Sequence, residues 1–111
     1  MGNKIKTVHI LPKWWPYLAM QMWKWTLVKK GRVLNKVQLR HEIIHYHQQK
    51  ELFLIFFFIL YGLEFLIKML IYLDWNNAYY NVSFEREAYD KQTDSNYLSG
   101  RKKFAWCDYL V

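Results

Sequence analysis

The rhythm of apolar and polar positions changes several times along the chain. Residues 14–28 are aromatic and mostly lack a clean period, but Trp23, Trp25 and Leu27 alternate with Lys24, Thr26 and Val28. Residues 29–32 (KKGR) supply a turn. Such alternation beside a glycine turn predicts two short strands, a small β-hairpin. From about Lys36 the period lengthens, and Val37, Leu39, Ile43, Ile44 and Tyr46 recur among polar residues as on a helix, with Asn35 as its N-cap. Nothing between His47 and Leu60 breaks this helix, which is expected to run on into an apolar segment, residues 52–73. Residues 74–77 (DWNN) read as a loop. Asn81, Ser83 and the run at 84–90 (FEREAYD) open a short helix whose early acids suit the helix dipole. Residues 101–111 read as an amphipathic turn or two. With no internal repeat or low-complexity linker, the pattern predicts one domain, mainly helical with a minor β element.

Composition sharpens this picture. Of 111 residues, 53% are hydrophobic, which excludes a disordered chain, and 20% are aromatic, which predicts either a dense aromatic core or a surface that meets lipid. Lysine and arginine outnumber the acids by 16 to 9. The basic runs at 29–36 and 101–103, with Trp14, Trp15, Trp23 and Trp25 nearby, read as solvated surface or as contact with anionic headgroups. No nucleic-acid-binding module accompanies the charge, so nucleic acid is not expected as a partner. Pro12, Lys13 and Pro16 interrupt any apolar run long enough for an export signal, and the expectation is a cytoplasmic protein with peripheral membrane contact. The Met1-Gly2 start resembles a myristoylation signal, although Lys6 stands where Ser or Thr is wanted. A single cysteine, Cys107, excludes a disulfide framework and a Cys-rich metal site, so any metal would fall to histidines and carboxylates.

The chain supplies both. Residues 41–45 read His41-Glu42-Ile43-Ile44-His45, the pattern HExxH. With four histidines among 111 residues, this pattern arises by chance in on the order of 1 in 200 such chains, rare enough to set against an incidental pair. On a helix, positions i and i+4 share a face, so both imidazoles can meet one ion. Glu42, about 100° around, can reach a water there and act as general base. Catalytic zinc ordinarily takes three protein ligands. His47 lies on the opposite side of the helix, and His9 is distant. Glu85 and Glu87 are better placed downstream; being about 200° apart on a helix, one can face the metal while the other faces away.

HExxH followed by a distal E-x-x-A resembles the gluzincin class of zinc peptidases. It looks like the small bacterial HExxH proteins with R-H-E-x-x-H-x-x-Q, an apolar stretch, and then N-x-x-F-E-R-E-A. Here these are Arg40-His41-Glu42, His45 and Gln48, then Asn81 and residues 84–88, a likeness covering about residues 20–90. The resemblance implies a zinc ion held by His41, His45 and Glu85, because Ala88 stands at +3 from Glu85, with Glu87 as the alternate. In larger gluzincins an Asp at +4 orients a histidine; here that position is Tyr89, a departure. Gln48, one turn past His45, is placed to bond the site or the backbone. Tyr89 and Tyr46 are the phenols available to stabilise an oxyanion.

Residues 52–73 complicate this reading. A 19-residue window from Leu52 has a mean hydropathy of about +2.3, which flags a membrane span, although Glu64 and Lys68 lie inside it. A straight span would place His45 and Glu85 about 30 Å apart on opposite sides of a bilayer, whereas zinc ligands lie about 2 Å from one ion. A helical hairpin reversing near Gly62 would reconcile the two. The expectation is a zinc-dependent metallopeptidase-like protein acting on a peptide or protein substrate. The alternative is a catalytically inactive metal-binding or membrane-associated binding protein of the same fold.

Overall fold

The computed structural model describes residues 5–110; Val111 and the Met1-Gly2 start, with its myristoylation-like pattern, lie outside them. The fold is mainly α (55%) with a three-stranded sheet (14%). Strands β1 (Lys6–Leu11), β2 (Ala19–Met22) and β3 (Trp25–Lys29) are ordered β1-β3-β2. β1 runs parallel to β3 and β2 antiparallel to it. Five helices follow: α1 (Lys36–Glu51), α2 (Ile55–Tyr72), α3 (Trp75–Tyr80), α4 (Ser83–Lys91) and α5 (Tyr97–Gly100), then a 3-10 turn at Ala105–Tyr109.

A hairpin precedes α1, but its turn is at Trp23–Lys24 rather than at residues 29–32. The choice is made on α1. Gln49 accepts from Trp23 N (2.6 Å) and donates to Gln21 O (2.8 Å), clamping both sides of the turn to the helix. Gly31 (φ +80°) instead turns the chain out of the sheet. A second strand cannot follow, because Asn35 starts a helix at once: its side chain accepts from Gln38 N and its own N–H donates to Gln38 Oε1. β1 was not expected; its β-branched Thr7, Val8 and Ile10 were the available signal.

α1 does not continue into the apolar segment. It ends at Glu51, and Phe53 and Leu54 both take positive φ (+55° and +63°), a conformation that costs about 1–2 kcal/mol per non-glycine residue. The offset is tertiary. The Glu51 carboxylate accepts from Arg101 (2.7 Å) and from Phe104 N (2.8 Å), which fixes the helix end, and Leu52 packs on the core.

Nor does the chain reverse at Gly62. α2 is one unbroken helix through that position, since a single helical glycine costs only about 1 kcal/mol. The return begins at Leu73 (φ +53°) and at Asp74, which caps α3 through Asn77 N (2.9 Å), so residues 74–77 open a helix rather than a loop. Glu64 then receives both Ser83 N and Ser83 Oγ at 2.7 Å, pinning the start of α4 against the middle of α2. Phe57, Val82, Phe84 and Trp106 form the core cluster beneath, and Phe84 is wholly buried.

Candidate metal centre

His41 and His45 stand one turn apart on α1, and Glu85 lies in the first turn of α4; all three are buried. His41 Nε2 is 3.1 Å from Glu85 Oε1, His45 Nε2 is 3.2 Å from the same oxygen, and the two Nε2 atoms are 3.2 Å apart. Two helices distant in sequence thus bring three ligand atoms into a near-equilateral triangle.

The tautomers follow from the outer partners. His45 Nδ1 meets Gln48 Oε1 at 2.8 Å, and the Gln48 amide nitrogen donates to Phe84 O (3.0 Å) and Glu87 Oε1 (2.9 Å). Both of those are acceptors, so the amide cannot be flipped, and Nδ1 must carry the hydrogen. His41 Nδ1 likewise meets Gln92 Oε1 (2.9 Å), and Arg40 donates to Gln92 O (2.7 Å). In the neutral ring the His45 Nε2 lone pair therefore faces Glu85 Oε1, and His41 Nε2 presents its own there when Nδ1 donates to Gln92 Oε1. Three converging lone pairs repel unless a cation sits among them, and the group is close enough to hold one metal ion.

Without a metal, a proton serves. Burial alone would lower the His45 pKa, but the Glu85 carboxylate outweighs it and lifts the imidazole to about 9. Burial would raise Glu85; the two histidines instead hold it well below the usual carboxylate range. Its second oxygen accepts from Tyr61 (2.7 Å). Glu42 behaves differently. Burial pushes its pKa up against the opposing pull of His45 and His41, and Oε1 has no hydrogen-bond partner. Glu42, His45 and Glu85 border one cavity of about 350 Å³, whose other walls include Met20, Phe57, Phe58, Phe65 and Tyr79.

The other residues singled out in the sequence fall elsewhere. Glu87 is wholly buried but turned away, accepting from Arg101, Tyr97 and Gln48. Tyr89 places its ring edge against His41 (centroids 4.3 Å) and bonds Tyr79 through its hydroxyl. Tyr46 does not reach the site: it packs on Trp23 and borders a second cavity with His47. His9 is exposed on β1. Sequence reasoning missed Tyr61 and Gln92. Tyr61 stood within a run read only for hydropathy; Gln92 lay just past the helix motif and carried no signal of its own.

Gln48→Ala removes the acceptor that orients His45, and metal affinity should fall about 10–100-fold. Competition against a chelating dye measures this, and an unchanged affinity would show that the ring is held without Gln48.

Compared with models of known protein families, with curated proteins and with solved structures, the chain finds no match.

Proposed function

We propose that this protein is a zinc-dependent, metallopeptidase-like hydrolase of minimal gluzincin type. The observation that carries this reading is the Glu42 carboxylate, buried with an unpartnered oxygen, bordering the same cavity as the converging His41, His45 and Glu85 group. Ligand atoms about 2.0–2.1 Å from a tetrahedral ion stand about 3.3–3.4 Å from one another, close to the 3.1–3.2 Å found here. Two imidazoles and one carboxylate are also a donor set that zinc accepts with a position left open.

His41, His45 and Glu85 would hold the ion. When bound, zinc supplies a Lewis acid that polarises a carbonyl and lowers the pKa of water. The chain's own residues do the rest. Glu42 Oε1 takes the proton from the attacking water and delivers it to the departing amine; its raised pKa brings the carboxyl nearer to working pH for both transfers. Tyr61 and Gln48 fix Glu85 and His45 in place, so no reorganisation is needed during reaction. Tyr17 and Tyr79, on the cavity wall, are the phenols placed to donate to a developing oxyanion. The aromatic and Met20 walls exclude water and suit an apolar side chain next to the scissile bond.

The test pairs metal analysis with turnover of a peptide library rich in apolar residues. The wild-type chain should carry one zinc and cleave. Glu42→Gln should keep the zinc and lose turnover by about 10²–10⁴-fold. Stoichiometric zinc without any cleavage by the wild type would instead mark a metal-binding protein of the same fold that is catalytically inactive.

A further inference from the structure

The outer face of α2 is unaccounted for by the site. Only 6% of this 18-residue helix is buried, although its mean hydropathy is 2.0. Its two charged residues, Glu64 and Lys68, both lie on the half-buried inner side, and Glu64 is committed to Ser83. Outward, Ile59, Leu63, Leu66, Ile67, Leu70 and Ile71 are each at least half exposed. No charged side chain interrupts this face from Ile55 to Tyr72.

We propose that this face of α2 docks on a lipid bilayer, lying flat in its interfacial layer. Three observations select lipid over a protein partner. Protein interfaces carry a polar rim and regular hydrogen bonds, whereas this face offers neither along about 27 Å of helix. The C-terminal end carries exposed Tyr72, a ring type that settles at headgroup level. The chain's net charge of +7 complements an anionic surface.

A flat orientation follows from what packs behind the helix. Phe57 meets Phe84, Tyr61 meets Glu85, Glu64 meets Ser83 and Phe65 meets Trp75, so the polar body lies along the inner face. Crossing the bilayer would carry Glu85, the histidines and the Glu87–Arg101 pair into hydrocarbon, at high cost. Lying flat immerses only the apolar side. Phe58 and Gly62, exposed on α2, also line the cavity, which therefore opens beside the lipid surface. The inference rests on the exposed face of α2, what packs behind it and the chain's net charge, and does not require the metal site to be catalytic.

Flotation of the full chain with vesicles of phosphatidylcholine and phosphatidylglycerol tests it. The wild type should float, and a variant combining Leu63→Gln, Ile67→Gln and Leu70→Gln should bind at least roughly tenfold more weakly while keeping its circular dichroism. A second measurement does not depend on that variant. A fluorophore placed by Ile59→Cys, Leu66→Cys or Leu70→Cys, each with Cys107→Ser, should be quenched by lipid-borne nitroxides at one shallow depth. A wild type that stays out of the vesicles overturns the proposal. So does a stable dimer that the triple variant dissociates without any flotation, which would make a second copy the occupant. A depth that increases from Ile59 to Leu70 would overturn the flat orientation in favour of crossing.

Discussion

Stripping metal from the loaded chain lowers its melting temperature by about 16–32 °C, and His45→Ala abolishes that difference. Metal that binds only the native state stabilises by RT ln(1 + [L]/Kd), about 4 kcal/mol at a thousandfold excess over Kd. For a domain of this size, each kcal/mol moves the midpoint by roughly 4–8 °C. The variant loses one of three ligand atoms, and its affinity should fall at least about 10³-fold, given that even an orienting neighbour is worth about 10–100-fold.

The pH dependence adds a sign. In the metal-free chain the raised His45 pKa means that the protonated ring stabilises the cluster. That contribution is complete below the ordinary histidine value of 6.5 and is lost as pH rises through about 9. Glu85 works the other way: its depressed pKa stabilises above the usual carboxylate range and is lost in acid. Metal displaces the His45 proton, so the loaded chain does not suffer the alkaline loss. The gap between loaded and stripped chain should therefore be wider at pH 9 than at pH 7. Differential scanning fluorimetry with and without chelator reads it directly. Equal midpoints in the wild type at both pH values would remove the metal site altogether.

Arg101→Met costs about 3–5 kcal/mol of stability without removing any of the metal-group side chains. Arg101 bridges two carboxylates, Glu87 through Nε (2.5 Å) and Nη2 (3.0 Å), and Glu51 through Nη1 (2.7 Å). Its side chain is 4% exposed and that of Glu87 is 0%. Breaking a buried pair leaves an uncompensated charge, which is why the loss exceeds the net worth of the bridge. Here it leaves two carboxylates facing the same gap.

Acid should reveal the cause. In the wild type, burial pushes the Glu87 pKa up, but Arg101, Tyr97 and Gln48 together hold it below its ordinary value. Its stabilisation is therefore present above about 4.5 and lost as pH falls. With Arg101 gone, burial dominates, the pKa rises, and protonation relieves the variant. Urea denaturation at pH 7 and pH 4.5 should show the penalty shrinking in acid. A penalty below 1 kcal/mol, or one independent of pH, would mean that Glu87 finds another partner.

The grouping of possible metal ligands was partly legible in the primary structure. Spacing alone paired His41 with His45, because a helix turns a four-residue interval into a shared face, and the two do stand together beside Glu85. The start of α1 was equally local: Asn35 and Gln38 satisfy each other's backbone without help from elsewhere. Glu85 was one of two carboxylates that spacing left open, and what separates them is their surroundings. Arg101, Tyr97 and Gln48 take up Glu87, leaving Glu85 beside the histidines.

The errors share a cause. The hairpin turn and the course of α2 were read from a local glycine, and the length of α1 from the lack of any breaker; each is decided by a long-range contact instead. Gln49 selects Trp23–Lys24 as the turn, Glu51 with Arg101 and Phe104 ends α1 at residues that carry no breaker, and Glu64 with Ser83 returns the chain without bending α2. By itself the sequence determined what needs only neighbours within a turn of helix: a mainly helical chain, a capped helix and two histidines at metal-binding spacing. The tertiary structure decided which carboxylate joins them, which phenol supports it and which face of the apolar helix is left outward. Those outcomes depend on side chains tens of residues apart competing for the same partners, and that competition has no period along the chain.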